Sequence, residues 1–344
     1  MPVQADITLS EMMLEIEREI RVFVQSKRSE AALFREMVDY HFGWNQPASE
    51  TIKGGKKIRP LLVVLAASAV SGQYDHAMPA ATGLQIIHDF TLVLDDIMDQ
   101  DRLRRHRPTL WTRWGINHAM TTGTGLYTLG FSALTELFRN STVPNRRSLA
   151  ALDVILSSCM ETHDAQIFDL SFEETFDVPL TVCTQTACGR SALIACAAQT
   201  GALLSTDDLC VIRAYETFGR HLATAYSIYD DYSGIWGNEN ELGKPVQSDI
   251  RQRKKTFPVM VGYHSAAPAT RKALESIYST DIMTERDVRE VVNILESAGA
   301  PEKTLRQVDR SREAASAALD STGISNADQQ NILLLMSQIL GDRI

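Results

Sequence analysis

The amino-acid sequence predicts an all-α protein, a single-domain helical bundle around a central cavity. Apolar residues recur at helical spacing along most of the chain, cap and stop residues bracket several of those runs, and no alternating β pattern with hairpin turns stands out. The first run is LSEMMLEIEREIRVFVQ, from Leu9. IRPLLVVLAASAV follows from Ile58, with Pro60 suited to a first helical turn. ATGLQIIHDFTLVLDDIMD begins at Ala81, and SLAALDVILSSCMETHDAQIFDL begins at Ser148 after a loop, STVPNRR. A second loop, FDVPL, precedes the apolar region that ends in FGRHLATAYSIYDDYSGIW, and GNENELGKP supplies a third. In TERDVREVVNILESAG, Val288, Val291, Val292 and Leu295 fall at i, i+3, i+4 and i+7, with Thr284 and Asp287 as a start cap and Gly299 to Pro301 as a stop. QNILLLMSQIL closes the series. The helices around residues 84–99, 150–170 and 190–231 are apolar on more than one side before their charged ends, which places them in the middle of a bundle.

Composition narrows the function. With 44% hydrophobic and 22% charged residues the 344-residue chain reads as globular, and no Ser/Gly/Pro-rich or single-charge tract divides it, so one domain is expected. A net charge of −9 argues against a nucleic-acid-binding surface, which needs a basic face. An anionic partner must then be held locally, through metal ions on clustered carboxylates or through focused Lys/Arg contacts. The N-terminal stretch has no basic start or apolar h-region, and the longest apolar run, near Pro60 to Val70, is too short to span a bilayer. Cys159, Cys183, Cys188, Cys196 and Cys210 show neither CxxC nor zinc-ligand spacing; they read as core fillers of a cytoplasmic protein.

Two helices end in acids. In LVLDDIMDQDRLRRHRPT, Asp95 and Asp99 stand at i and i+4, so both project from one face, with Asp96 beside them and Arg104 and Arg105 following. Carboxylates so placed repel unless a cation lies between them, and Mg²⁺ takes oxygen ligands and bridges to phosphate oxygens. Alone, the pattern equally describes a solvated acidic helix end. Asp230 and Asp231 end a second apolar helix. Downstream lie Lys244 in ELGKP, Asp249, and the basic group Arg251, Arg253, Lys254 and Lys255. GGKKIRP sets Lys56 and Arg59 three residues apart, and QIFD sets Gln166 and Asp169 one turn apart; each alone is a weak signal.

Taken in order, GGKKIRP, IIHDFTLVLDDIMDQDRLRRHRPT, DAQIFDLSFE, GRSALIACAAQTGAL, YSIYDDYSGIWG and GKPVQSDIRQRKKTFPV resemble the successive motifs of trans-prenyl diphosphate synthases, over about residues 54–260. The C-terminal helices, about 265–344, complete the domain. The resemblance implies that Asp95, Asp96 and Asp99 hold Mg²⁺ on an allylic diphosphate, as do Asp230 and Asp231. It assigns Arg104 to the allylic diphosphate, and Lys56, Arg59, His88 and Arg105 to the isopentenyl diphosphate pocket. Lys244 and Lys254 would face the allylic diphosphate, Gln166 and Asp169 would stand beside the metals, and the chain would be a homodimer. A core histidine is the ordinary reading of His88; its place two turns before Asp95 supports the ligand reading.

Several positions depart from the family pattern. Arg190 and Ser191 stand where Lys-Thr is common in the diphosphate-binding region, Tyr226 and Ser227 where Phe-Gln is common, His106 where the arginine pair is usually followed by glycine, Thr124 where aspartate is common, and Gly234 where the second motif often has its third aspartate. Gly234 reads as a tolerated variant. For product length, the family's cavity floor corresponds to Phe90, about 7.5 Å along the helix from Asp95, with Thr91 small beside it. This combination looks most like synthases of C20 geranylgeranyl diphosphate, with C15 farnesyl diphosphate as the competitor. A terpene cyclase on the same scaffold and a non-catalytic subunit of a heteromeric synthase remain as other readings.

Overall fold

The computed structural model describes residues 9–27, 29–45, 57–139, 142–238, 246–280 and 282–341. Lys56 and Lys244 lie outside these residues, as does most of GNENELGKP. The described chain is helical almost throughout: α1 (Leu9–Ser26), α2 (Ala32–Phe42), α3 (Ile58–Ser71), α4 (Met78–Met98), α5 (Leu110–Trp114), α6 (Ile116–Leu134), α7 (Asn145–Phe172), α8 (Leu180–Arg190), α9 (Ala192–Ser205), α10 (Leu209–Trp236), α11 (Ser248–Arg251), α12 (Phe257–Ser265), α13 (Pro268–Tyr278), α14 (Glu285–Ser297), α15 (Ala300–Asp320) and α16 (Ala327–Ile339).

Two compact units divide the chain, one of residues 1–155, 196–216 and 319–335, the other of 156–195, 217–318 and 336–344. The first is built around α3 and α4. Every residue of α3 from Ile58 to Ala69 is buried, so the helix is enclosed by its neighbours on all sides. α4 lies against α3 and, over a longer stretch, against α6. Glycines permit that approach: a Cβ on Gly83 would come 2.6 Å from Leu134 Cδ2, and one on Gly130 would come 2.6 Å from Ile87 Cγ1. With Gly123 opposite Phe90 and Val93, these contacts set α4 and α6 antiparallel. In the second unit α12 packs on α8 and α14. α14 starts with the expected capping box, in which Thr284 and Asp287 satisfy each other's backbone amides.

Four details differ from the sequence reading. NRR at the end of STVPNRR already belongs to α7. Gly299, at φ 69, ends α14, but Pro301 sits in the first turn of α15, where its missing amide hydrogen costs nothing. A two-residue antiparallel pair, β1 (Leu103–Arg104) with β2 (Arg107–Pro108), interrupts the helices. α7 is also less enclosed than expected, since Leu156, Met160, Ile167 and Phe168 are exposed.

Candidate functional site

α4 delivers the first acidic group. The Asp99 amide bonds to the Asp95 carbonyl at 2.8 Å, so Asp99 closes the last turn and its carboxylate stays one turn from that of Asp95; both residues are half-buried. Asp96 is buried, and Arg104 Nε donates to its Oδ1 at 2.7 Å. Burial pushes the Asp96 carboxyl up, and the Arg104 charge offsets only part of that rise. Burial works to lower the Arg104 guanidinium, but Asp96 outweighs it and holds the group above its ordinary value.

Arg104 reaches Asp96 because the chain doubles back in the β1–β2 pair. Its two-residue turn is Arg105 and His106, at φ 52 and 61, the pattern of the I′ turn that matches strand twist and favours Asn-Gly. Neither residue is glycine, and left-handed backbone costs roughly 1 kcal/mol for each such residue. The surroundings hold the turn regardless. Arg107 lies 3.8 Å over the Tyr40 ring and donates to the Tyr40 carbonyl, while the Tyr40 hydroxyl donates to the Pro108 carbonyl at 2.8 Å. An open cleft beside this anchor is lined by His41, Phe42, Asp96, Arg104, Arg105 and Arg107.

Arg59 is buried in the first turn of α3, and His88 is half-buried on α4, two turns before Asp95. Burial drives the His88 pKa well below its ordinary value, and the charges of Arg59, Arg105 and Arg104 add to the effect. The imidazole is therefore a neutral group in positive surroundings, with Nδ1 3.3 Å from Thr91 Oγ1. Arg59, His88, Arg104 and Arg105 thus share one electrostatic neighbourhood, suited to a diphosphate.

The sequence reading missed the buried pair behind them. His41 Nε2 lies 3.1 Å from Asp89 Oδ1, and Gln85 donates to Asp89 Oδ2 at 2.8 Å. Burial would raise the Asp89 carboxyl, but the His41 hydrogen bond and charge, with Lys57, hold it well below the usual range. The signal was present: a carboxylate among Ile86, Ile87, Phe90 and Val93 must find a partner. Lys57 is itself paired with Glu17 at 2.7 Å.

In the second unit, α10 carries Asp230, exposed, and Asp231, buried. Arg190, the last residue of α8, donates to Asp231 at 2.7 Å and lies 3.4 Å from Asp169 on α7. Asp231 also accepts the Phe257 amide at 3.0 Å, at the start of α12 where an anion is favoured. Burial works against the Arg190 charge, yet Asp169 and Asp231 hold its pKa well up. Gln166 is half-buried on α7, one turn before Asp169. Ser191 is buried at the C-cap of α8, and Lys254 is half-buried, its amide bonded to the Asp249 carbonyl. Gly234 is buried; a Cβ there would lie 3.2 Å from Asp249 Oδ2. Burial pushes the Cys183 thiol up to about 11, so it is no nucleophile.

Each acidic group therefore divides in the same way. One aspartate is buried against an arginine, and the others, Asp95 and Asp99 or Asp230, are more accessible. Among the described residues no group of three or more His, Cys, Asp or Glu could hold a metal ion by itself. In the first unit the oxygen-only donors Asp95 and Asp99 suit a hard divalent cation, and in the second unit Asp230, taken by itself, is a donor of the same kind.

The chain is similar to several known proteins. Residues 43–295 match the family model for polyprenyl synthetase. A (2E,6E)-farnesyl diphosphate synthase of Mycobacterium bovis is 36% identical over 271 residues, covering 77% of this chain and 74% of that protein. A geranylgeranyl diphosphate synthase of Mycobacterium tuberculosis is 32% identical, covering 88% and 85%. The crystal structure of a geranylgeranyl pyrophosphate synthetase from Pyrococcus horikoshii superposes with a TM-score of 0.82 at 27% identity, over 96% of this chain and 98% of that one. At the level of fold alone, polyprenyl synthase from Caulobacter crescentus was solved with calcium and isoprenyl diphosphate, at 22% identity, TM-score 0.83 and 97% and 95% coverage.

Proposed function

This chain belongs to the polyprenyl synthetase family and is a trans-prenyltransferase, and we propose that it adds isopentenyl diphosphate to allylic diphosphates to give the C20 product. The grouping of Arg59, His88, Arg104 and Arg105 near the acidic end of α4 carries this reading. In it, Asp95, Asp99 and Asp230 hold Mg²⁺ on the allylic diphosphate. The bound metal supplies Lewis-acid stabilisation of the leaving diphosphate. Arg104 adds positive charge to that group as its bond to the allylic carbon breaks. Arg59, His88 and Arg105 hold the isopentenyl diphosphate so that its double bond meets the allylic cation. Asp96 and Asp231 act through their arginines, fixing Arg104 and Arg190 in place. Lys56, Lys244 and Lys254, with Ser191, complete the diphosphate contacts, and Gln166 and Asp169 stand beside the metals.

Relatives are named both farnesyl and geranylgeranyl synthases, so the C20 assignment rests on Phe90 beside the small Thr91. Among the described residues no helix is long and apolar enough to cross a membrane. Five free thiols suit a reducing, cytoplasmic compartment. The exposed Leu156, Met160 and Ile167, at helical spacing on α7, support a homodimer. Residues 1–344 would then act as one polyprenyl synthase domain.

Incubation with Mg²⁺, isopentenyl diphosphate and each of the C5, C10 and C15 allylic diphosphates tests the proposal. Products longer by C5 units, ending at C20, are expected. Termination at C15 would make it a farnesyl synthase. Hydrocarbon or alcohol formed without isopentenyl diphosphate would make it a cyclase, and activity only with a second chain would make it a subunit.

A further inference from the structure

The backbone of Lys254 is fixed from both sides. On one side Arg253, in left-handed backbone at φ 60, donates from Nη1 to the Thr280 carbonyl at 2.7 Å. On the other, Lys255 Nζ donates to the carbonyls of Phe172 at 2.8 Å and Glu173 at 2.6 Å, at the C-terminal end of α7. A helix end leaves carbonyls without intrahelical donors, and its partial negative charge favours a cation there. The Lys255 ammonium also lies 4.7 Å from the centroid of the Phe176 ring, which stacks on Tyr263 of α12 at 4.6 Å and meets Tyr278 of α13 edge-on at 5.2 Å. Two residues farther on, the Phe257 amide holds Asp231.

A solvated surface lysine would make none of these contacts. Burial works to lower the Lys255 pKa, so the ammonium gives up water to reach the end of α7. No step of the proposed reaction uses Lys255 itself. Its contacts nevertheless join parts of the second unit that carry assigned residues: α7, with Gln166 and Asp169, the 253–257 segment, with Lys254, and, through Phe257, Asp231 on α10. We propose that Lys255 is a positioning residue, which sets the backbone of Lys254 against the end of α7 and so fixes where the Lys254 ammonium meets the allylic diphosphate. This role rests on the synthase reading above, in which Lys254 contacts that diphosphate.

Binding of the C15 allylic diphosphate is measured by titration calorimetry with Mg²⁺ and no isopentenyl diphosphate, and KM for each substrate by turnover, for wild type, Lys255→Met, Lys255→Arg, Lys254→Met and Lys254→Met/Lys255→Met. Lys255→Met should weaken the allylic diphosphate about tenfold in both measurements, the scale of impairing one hydrogen bond to a charged group. KM for isopentenyl diphosphate should stay within about twofold of wild type. Lys255→Arg, which keeps the charge and the donors, should recover most of the loss. In the Lys254→Met background Lys255→Met should add less than about twofold, because a residue that acts through another loses its effect with it. Lys255→Gln, which still donates to a carbonyl, should show a smaller shift of the same kind and serves if Lys255→Met does not fold. Equal shifts for the two substrates, or an undiminished loss in the Lys254→Met background, would make Lys255 a helix cap and nothing more, with the synthase reading intact. A wild-type chain that adds no isopentenyl unit would sink the synthase reading, and this role with it.

Discussion

Arg190 Nη2 lies 2.7 Å from the buried Oδ2 of Asp231, and the same guanidinium lies 3.4 Å from Asp169. Removing Arg190 leaves a desolvated carboxylate without its countercharge. Breaking a buried ion pair from one side costs about 3 kcal/mol. Arg190→Ala should therefore lower the unfolding free energy, read from chemical denaturation, by an amount of that order, while Arg190→Lys, which keeps the charge without the planar fork, recovers part of it.

The two aspartates of YDD should separate by assay. Asp230 is exposed and Asp231 is buried. Asp230→Ala should leave the melting temperature unchanged but reduce turnover at least about a hundredfold, the scale of losing one transition-state charge contact. Asp231→Ala should lower the melting temperature as well as turnover. Equal melting temperatures for the two variants would refute this division.

His106 occupies left-handed backbone at φ 61 and is exposed. His106→Gly should stabilise the protein by about 0.5–1 kcal/mol, the relieved strain partly offset by the greater freedom of glycine when unfolded. Turnover should be retained, since Arg104 keeps its Asp96 partner. Chemical denaturation and steady-state rates check both halves.

His88 gives a pH dependence with a definite sign. Its folded pKa is depressed well below the ordinary 6.5, chiefly by burial. Below that value the unfolded chain takes up a proton that the folded chain refuses, so stability is full above pH 6.5 and falls as the pH drops. The slope is at most about 1.4 kcal/mol per pH unit. Asp89, also depressed, contributes its own loss only below its unfolded value of 3.8. His76 and His221 shift in the same direction as His88, so the contribution is read from the difference between wild type and His88→Gln. The variant should lose less stability between pH 6.5 and about 5.

Gly234→Asp tests the missing third aspartate. The added side chain would begin 3.2 Å from Asp249 Oδ2 and place a second carboxylate against the first. The variant should melt lower than wild type in chelator and recover with millimolar Mg²⁺, which relieves the repulsion. A melting temperature indifferent to Mg²⁺ would show that Asp249 moves aside instead.

Local patterns were legible in the sequence and distant pairings were not. Thr284 and Asp287 announce α14 because both halves of the cap lie within one turn. Asp95 and Asp99 share a face by spacing alone. By contrast, Arg190 and Asp231, or His41 and Asp89, meet only through tertiary packing, and no periodicity records that. The β1–β2 turn escaped notice because Arg105 and His106 replace the Asn-Gly type that marks such turns. The exposed apolar side of α7 looked like core because apolar spacing does not say what covers it.

Gly83 and Gly130 contribute by lacking side chains. Each lets α4 and α6 approach to where a single methyl group would collide with Leu134 or Ile87. The two backbones therefore cannot slide or spread in small increments, because every intermediate spacing leaves a void or a clash. Descendants of this sequence can then alter what the α4–α6 face accommodates only by exchanging side chains between the glycines, one substitution at a time, on a backbone that does not drift. Such exchanges leave in place the helix that ends at Asp95 and Asp99.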